Sequence, residues 1–338
     1  MGGRNVTVDM LRGIAMLLVV LVHTMSGTLS DFGDSWVFQA AWTLQIPLFV
    51  AVSGYVTRYR KPLGGACGMF SLIWRRTLSY LLPWIVWTFL IRGLLFGAKN
   101  FLDLGYLLYH MDVGYWFLPM LWVICILDTF ASYVSELLPP ERKTGRLALR
   151  VCMMLCGMVV LLGIGHFTGL EFFGIKYVLY YIPFFILGYL FGQCSEMAPK
   201  TKALDIATYA VTAFSAIVWI AMICRFDFYS AGDGLGSMVI RMLTSVLGCI
   251  VVAFLASLHR EGGIVTGALA WVGRHSLEIY LIHDLCLNLI RPATMPSANT
   301  FAGAGLVAVN FIVTLCITIA ATFLLRYKKA VGKVLFYR

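Results

Sequence analysis

The stretch Asp9-Met10-Leu11-Arg12-Gly13-Ile14-Ala15-Met16-Leu17-Leu18-Val19-Val20-Leu21-Val22-His23 decides the class of fold. It is apolar apart from Asp9 and Arg12 near its start and His23 near its end. Ionisable residues are costly in hydrocarbon, so a segment that keeps them is a functional-site candidate. In a helix, eleven residues at about 100° each return to within roughly 20° of the starting direction. Arg12 and His23 therefore share one helix face, about 16 Å apart along the axis. That face carries a cation at its base and a titratable imidazole deep in the apolar span. The plainer readings are an Asp9–Arg12 pair one turn apart and a histidine satisfied by a neighbouring polar group. Neither explains why the three residues align.

The rest of the chain has the same character. Of 338 residues, 60% are hydrophobic and 12% charged, where a soluble domain carries about a quarter charged. This excludes an ordinary soluble protein and predicts an all-α polytopic membrane protein, a single bundle of about ten transmembrane helices. Spans long enough to cross a bilayer are expected near 10–30, 36–57, 77–97, 115–137, 147–168, 175–195, 204–224, 238–258, 271–290 and 302–325. The links at 58–76, 98–114 and 225–237 are the longest non-helical candidates. The first span also has the outline of a signal peptide, with Ser26-Gly27 near a cleavage point, but its apolar core ends in His23 and its removal would spoil the even helix count. We read residues 1–338 as one domain.

An even count places both termini on one side, and the distribution of basic residues says which. With the N-terminus inside, Arg4, Arg12, Arg58, Arg60, Lys61, Arg75, Arg76, Arg142, Lys143, Arg146, Arg150, Lys200, Lys202, Arg260, Arg274, Arg326, Lys328, Lys329, Lys333 and Arg338 are cytoplasmic. Arg92, Lys99, Lys176, Arg225, Arg241 and Arg291 are left for the other face. The expected topology is N-in/C-in, and the formal charge of +10 is its signature; it does not point to nucleic acid. The nine cysteines show no CxxC spacing, so they read as packing residues, with neither disulfides nor a metal site expected.

Further residues stand out. Gln45-Ile46-Pro47-Leu48-Phe49 leads to Ser53-Gly54-Tyr55, where Ser53-Gly54 permits close helix approach. Arg58, Arg60 and Lys61 precede one cytoplasmic link, and Arg75 and Arg76 follow it. Such clusters also serve as topology signals or lipid contacts; the sharper reading is a polyanion site, because guanidinium groups match phosphates. Ser276, Tyr280 and His283 fall at i, i+4 and i+7, one helical stripe that suits either an interhelical hydrogen-bond ladder or a site. Trp116, in Tyr115-Trp116-Phe117-Leu118-Pro119, suits an interfacial anchor.

Taken together, Asp9-x-x-Arg12-Gly13 with His23, Ile46-Pro47-Leu48-Phe49 through Ser53-Gly54-Tyr55, Arg75-Arg76 followed by Leu82-Pro83-Trp84, Tyr115-Trp116-Phe117-Leu118, Tyr181-Ile182-Pro183-Phe184-Phe185-Ile186-Leu187-Gly188-Tyr189 and Gly273-Arg274-His275-Ser276-Leu277-Glu278-Ile279-Tyr280-Leu281-Ile282-His283 resemble the acyltransferase type 3 family of integral membrane acyltransferases, in the branch related to fucose 4-O-acetylases. The match runs in family order from residue 9 to residue 283. It departs where many lipopolysaccharide-acetylating members carry Trp-Ser-Leu-x-x-Glu: here Trp116-Phe117-Leu118-Pro119-Met120 has no carboxylate, so their acceptor specificity does not carry over.

The resemblance implies transfer of an acyl group, usually acetyl from cytoplasmic acetyl-CoA, to a hydroxyl of a cell-surface sugar or related acceptor, by an enzyme of the bacterial cytoplasmic membrane in contact with its lipids. On that expectation His23 is general base or acyl carrier and Arg12 orients the donor. Arg58, Arg60, Arg75 and Arg76 hold the CoA phosphates, while Ser53, Trp116, Tyr280 and His283 line the substrate cavity. The rival is a multi-pass transporter of a small molecule or modified glycan, since intramembrane histidines also relay protons. A sensor or assembly role is a third, weaker class.

Overall fold

The computed structural model describes residues 5–103, 105–106, 114–169, 175–197, 201–230, 232, 234–259, 262–327, 332 and 335–337. Arg4, Lys200, Arg260, Lys328, Lys329, Lys333 and Arg338, which contribute to the charge argument, lie outside them. So do residues 107–113 of the 98–114 link, and Ala231 and Asp233 of the 225–237 link. Every regular element described is helical, and nine helices among the described residues are long and apolar enough to cross a membrane.

The chain divides into two compact units. The first comprises residues 1–56 and 191–325, and the second residues 57–190 and 326–338.

In the first unit, α1 (Val6–Ser26) starts where the Asn5 side chain accepts the Val8 N–H at 3.2 Å, so one of the unpaired N–H groups of the first turn is satisfied by a cap. It packs against α2 (Trp36–Tyr55) through Val8, Ala15, Leu48 and Val52. At its far end Val22, Met25 and Leu29 meet Phe38, Ala41 and Val307.

The first unit is completed by α7 (Lys202–Ile223), α8 (Leu235–Ser257), α9 (Ile264–Arg274), α10 (Ser276–His283) and α11 (Phe301–Tyr327) as far as Leu325. The second unit holds α3 (Ala66–Ile85), α4 (Phe117–Glu136), α5 (Lys143–Thr168) and α6 (Ile175–Met197) as far as Leu190. A π-helical stretch, Val86–Leu95, continues α3.

Two sequence expectations change. The apolar run at 271–290 is not one spanning helix, because α9 and α10 meet at His275. There the ring Nδ1 lies 2.9 Å from the Trp271 carbonyl, and the backbone leaves helical geometry at φ −109°, ψ 17°. A side chain bonded to the preceding turn competes with continuation of the helix, and by Leu287 the chain is extended.

The 58–76 link is also shorter than its sequence suggests. Gly64 and Gly65 turn the chain at φ 69° and 103°, conformations that glycine adopts without steric cost, and α3 begins directly at Ala66. Arg75 and Arg76 therefore lie inside α3, ten residues beyond the turn. Glycines at 65 and 68 are weak helix signals, which hid the true start.

Candidate functional site

Two glycines set the geometry of the first unit. A Cβ at Gly13 of α1 would lie 2.1 Å from the carbonyl oxygen of Leu269, and one at Gly273 of α9 would lie 1.8 Å from that of Asp9. Real Cβ atoms never come so near backbone, so the α1–α9 crossing exists because both positions lack a side chain. Asp9 and Arg274 face each other across it at 4.0 Å.

Because α10 follows α9 after one residue, this crossing fixes α10 against α1. The consequence appears at the far end of α1, where the His23 and His283 rings lie 5.6 Å apart between centroids, tilted by 49°. Tyr280 is 5.9 Å from His283. The structure thus brings together three of the residues singled out from sequence, in one unit.

The two histidines differ in surroundings. His283 is 2% exposed, whereas His23 is an exposed residue. The His283 Nδ1 lies 2.7 Å from the Tyr280 carbonyl and 3.1 Å from that of Ile279. A carbonyl accepts and cannot donate, so Nδ1 carries the proton and Nε2 the lone pair. That Nε2 is buried without a hydrogen-bond partner among the described residues. Asp284, half-buried, interacts electrostatically with both rings.

A polar network then ties the segment after His283 to the end of α1. The Thr28 hydroxyl donates to Asn288 Oδ1 at 2.9 Å, Asn288 Nδ2 reaches the His23 carbonyl at 3.4 Å, and Asn310 Nδ2 donates to the Ile290 carbonyl at 3.0 Å. Asn288 adopts φ 50°, and Gly27 makes room for its amide. Outside the spans, Asp31 accepts from the Ser297 hydroxyl and the Ala298 N–H, each at 2.6 Å. These bonds hold its carboxyl below the usual carboxylate range.

Of the remaining candidates in this unit, Arg12 lies half-buried on α1, and the Ser53 hydroxyl donates to the Phe49 carbonyl of its own helix at 2.8 Å.

The other candidates belong to the second unit, where the most buried ionic group is one that sequence reasoning passed over. Asp128 of α4, 2% exposed, accepts from Arg60 Nη1 at 2.9 Å and from Arg150 Nε at 2.9 Å, with a second bond from Arg150 Nη2. Arg150 also lies over the Tyr189 ring, 4.0 Å from its centroid. Arg76 donates to the Tyr80 hydroxyl at 3.1 Å and interacts electrostatically with Asp128. One carboxylate thus faces three guanidinium groups, an excess of positive charge that matches an anion.

Arg60 turns its Nη1 to Asp128, and its Nη2 is buried without a hydrogen-bond partner among the described residues. Arg58 stacks over Tyr59, 4.7 Å from the centroid, and Arg75 is exposed. Trp116 stacks on Tyr177 at 4.3 Å, with Tyr181 at 6.1 Å; its ring is built into an aromatic stack. The sequence signal for Asp128 was a carboxylate alone in an apolar run, the same signal that marks His23. Among the described residues no group of three or more His, Cys, Asp or Glu side chains could hold a metal ion.

A family model described as an acyltransferase domain matches residues 5–327. A nodulation protein, NolL, of Sinorhizobium fredii (strain NBRC 101917 / NGR234) is 27% identical over 233 residues, which cover 64% of this chain and 58% of that protein. The chain therefore spans less than two thirds of that relative's length. No solved structure matches.

Proposed function

We propose, for a chain that belongs to the acyltransferase type 3 family of membrane acyltransferases, that it moves an acetyl group from acetyl-CoA to a hydroxyl of a cell-surface sugar or related acceptor. Its membrane is the bacterial cytoplasmic membrane, with both termini inside. The observation that carries this reading is the His23–His283 pair, two imidazoles 5.6 Å apart at the end of α1. Family membership favours covalent transfer over export.

In this mechanism a ring nitrogen of His23 takes the proton of the acceptor hydroxyl while its oxygen attacks the thioester carbon. The C–O bond forms, the C–S bond breaks, and His23 returns the proton to the departing thiolate sulfur. An imidazole with an ordinary pKa of about 6.5 is suited to both halves of this exchange at neutral pH. Arg12, on the same helix, orients the donor.

Arg58, Arg60, Arg75 and Arg76 hold its phosphates, a reading supported by the positive charge that Asp128 leaves uncancelled among Arg60, Arg76 and Arg150. Arg150 is already committed to Asp128. Within the first unit, His283 stands beside His23 and Tyr280 beside His283.

The test compares, by mass spectrometry, the surface glycans of cells that carry the wild-type protein, its His23→Ala variant or neither. Acetyl esters present with wild type and missing in the other two support the reading. Identical glycans in all three overturn it, as does a His23→Ala protein that acetylates at the wild-type rate.

A further inference from the structure

We propose that His283 is a positioning residue for the transfer step, its Nε2 accepting the ring N–H of His23 so that the other His23 nitrogen meets the acceptor hydroxyl with its lone pair free. This inference rests on the reading that His23 takes the acceptor's proton.

Three observations lead to it. The tautomer of His283 is fixed from behind, since Nδ1 is held by the carbonyls of Ile279 and Tyr280. Its Nε2 is therefore an acceptor, buried, with no hydrogen-bond partner among the described residues. An unfilled buried hydrogen-bonding position is costly, so one that persists marks a place where a partner arrives.

Burial also decides who that partner is. The His283 side chain is 2% exposed, so a bulky acceptor does not reach Nε2, whereas the exposed His23 ring stands beside it. Two imidazoles joined by an N–H···N bond of about 2.9 Å have centroids about 5 Å apart. The observed 5.6 Å is within about 1 Å of that separation.

The arrangement does for His23 what the buried carboxylate of a serine-protease triad does for its histidine: it selects the tautomer and holds the ring. The His23 N–H that faces His283 stays on His23 throughout, so no net proton passes to His283. The cation formed on His23 in mid-reaction is stabilised by that bond and by Asp284, which interacts electrostatically with both rings. The glycine crossing and the Asn288 bond to the His23 carbonyl hold the two helix ends at the separation the bond requires.

The experiment uses the full chain in native membranes of the producing cells, which contain the acceptor. Thiol release from added acetyl-CoA is measured for the wild type, His283→Ala, His283→Gln and His23→Ala. His283→Ala is expected to lower the rate at saturating acetyl-CoA by about 10- to 1,000-fold, with the half-saturating concentration changed less than about twofold. His283→Gln, whose amide oxygen accepts the same N–H, should retain at least about ten times the rate of His283→Ala.

Equal loss in both variants with weakened acetyl-CoA saturation would reduce His283 to a structural residue and overturn the proposal. A wild-type rate in His283→Ala alongside an inactive His23→Ala overturns this proposal alone. Full activity in His23→Ala sinks the underlying reading as well. A measurement on the wild type needs no variant to fold: ¹⁵N-histidine spectra should show His283 with its proton on Nδ1, and a proton on Nε2 in the resting protein contradicts the proposal.

Discussion

The first unit and the second place ionisable side chains among apolar helices in opposite ways. At the end of α1, His23 and His283 stand side by side, and the Nε2 of His283 has no partner among the described residues. Around α4, Asp128 is saturated, with Arg60 and Arg150 bonded to its two oxygens. A buried charge has to be compensated because desolvation would otherwise exceed the gain from folding. A neutral imidazole carries a much smaller penalty and can keep one position open. The charged cluster is thus architecture that also leaves positive charge to spare, whereas the histidine pair has chemical capacity left over.

The sharpest way to break the contrast is to remove the open side of it. Replacing His23 by Ala should lower acyl transfer by 10²–10⁴-fold, the usual worth of a general base, while acetyl-CoA binding and the melting midpoint stay near wild type. Acyl-transfer rates and thermal unfolding on the same preparation check both halves. Loss of folding together with activity would make His23 as structural as Asp128.

Asp128→Ala should show the converse behaviour. It strands the buried guanidinium of Arg150 and the half-buried one of Arg60, a change that typically costs about 3–5 kcal/mol, and should lower the yield of folded protein before any effect on chemistry is measurable. Removing Arg150 together with Asp128, as Asp128→Leu with Arg150→Met, should recover much of that loss. If Asp128→Ala alone unfolds normally in denaturant, the cluster is not holding the second unit together.

Gly273→Ala tests how far the histidine pair depends on the helix crossing beneath it. The new methyl would meet the Asp9 carbonyl at 1.8 Å, and backbone cannot move aside as a flexible side chain does. A cost of about 1–3 kcal/mol is expected, with a fall in turnover because α10 shifts relative to α1. Unchanged turnover would separate the crossing from the pair.

How much of this was legible in the sequence follows from the same physics. The Arg12–His23 face could be read because it lies within one helix, where 3.6 residues per turn fix the geometry. The stripe Ser276, Tyr280, His283 was legible for the same reason. That α10 would pack against α1 was not, because it depends on Gly13 and Gly273 meeting across 260 residues of chain. Nor was the break at His275, where a side-chain bond to Trp271 overrides an apolar run long enough to span. Asp128 was visible as a lone carboxylate, but its partners Arg60 and Arg150 lie 68 and 22 residues away. The same pairing explains why Arg60, taken from sequence as a phosphate ligand, has one of its nitrogens already committed.

A milder change probes the positive charge that Asp128 leaves uncancelled. Arg75→Gln combined with Arg76→Gln should weaken acetyl-CoA binding by up to about 1–3 kcal/mol for each charge-assisted contact removed, measured by titration of the purified protein. Arg76→Gln also gives up the bond to Tyr80, so thermal unfolding is needed to separate binding from folding. Unaltered binding in the folded double variant would leave the cluster as architecture alone.

The smallest effect is expected at Asp31, a charged group that is neither buried nor open. The Ser297 hydroxyl and the Ala298 N–H hold its carboxyl below its ordinary 3.8, which means the folded protein favours the ionised form. The sign follows from linkage: a depressed carboxylate contributes its stabilisation at pH above 3.8 and loses it as pH falls through the lowered value. The group is partly exposed, so solvent screens much of that contribution. Asp31→Asn should therefore lower the melting midpoint slightly at pH 7, and the gap to wild type should close as the pH is brought below 3.8. Turnover should be nearly unaffected, because Asp31 anchors the segment after α10 and not the rings themselves. A large loss of turnover in Asp31→Asn with little change in melting would show that this anchor sets the His23–His283 separation, and the division between holding groups and reacting groups would have to be redrawn within the first unit.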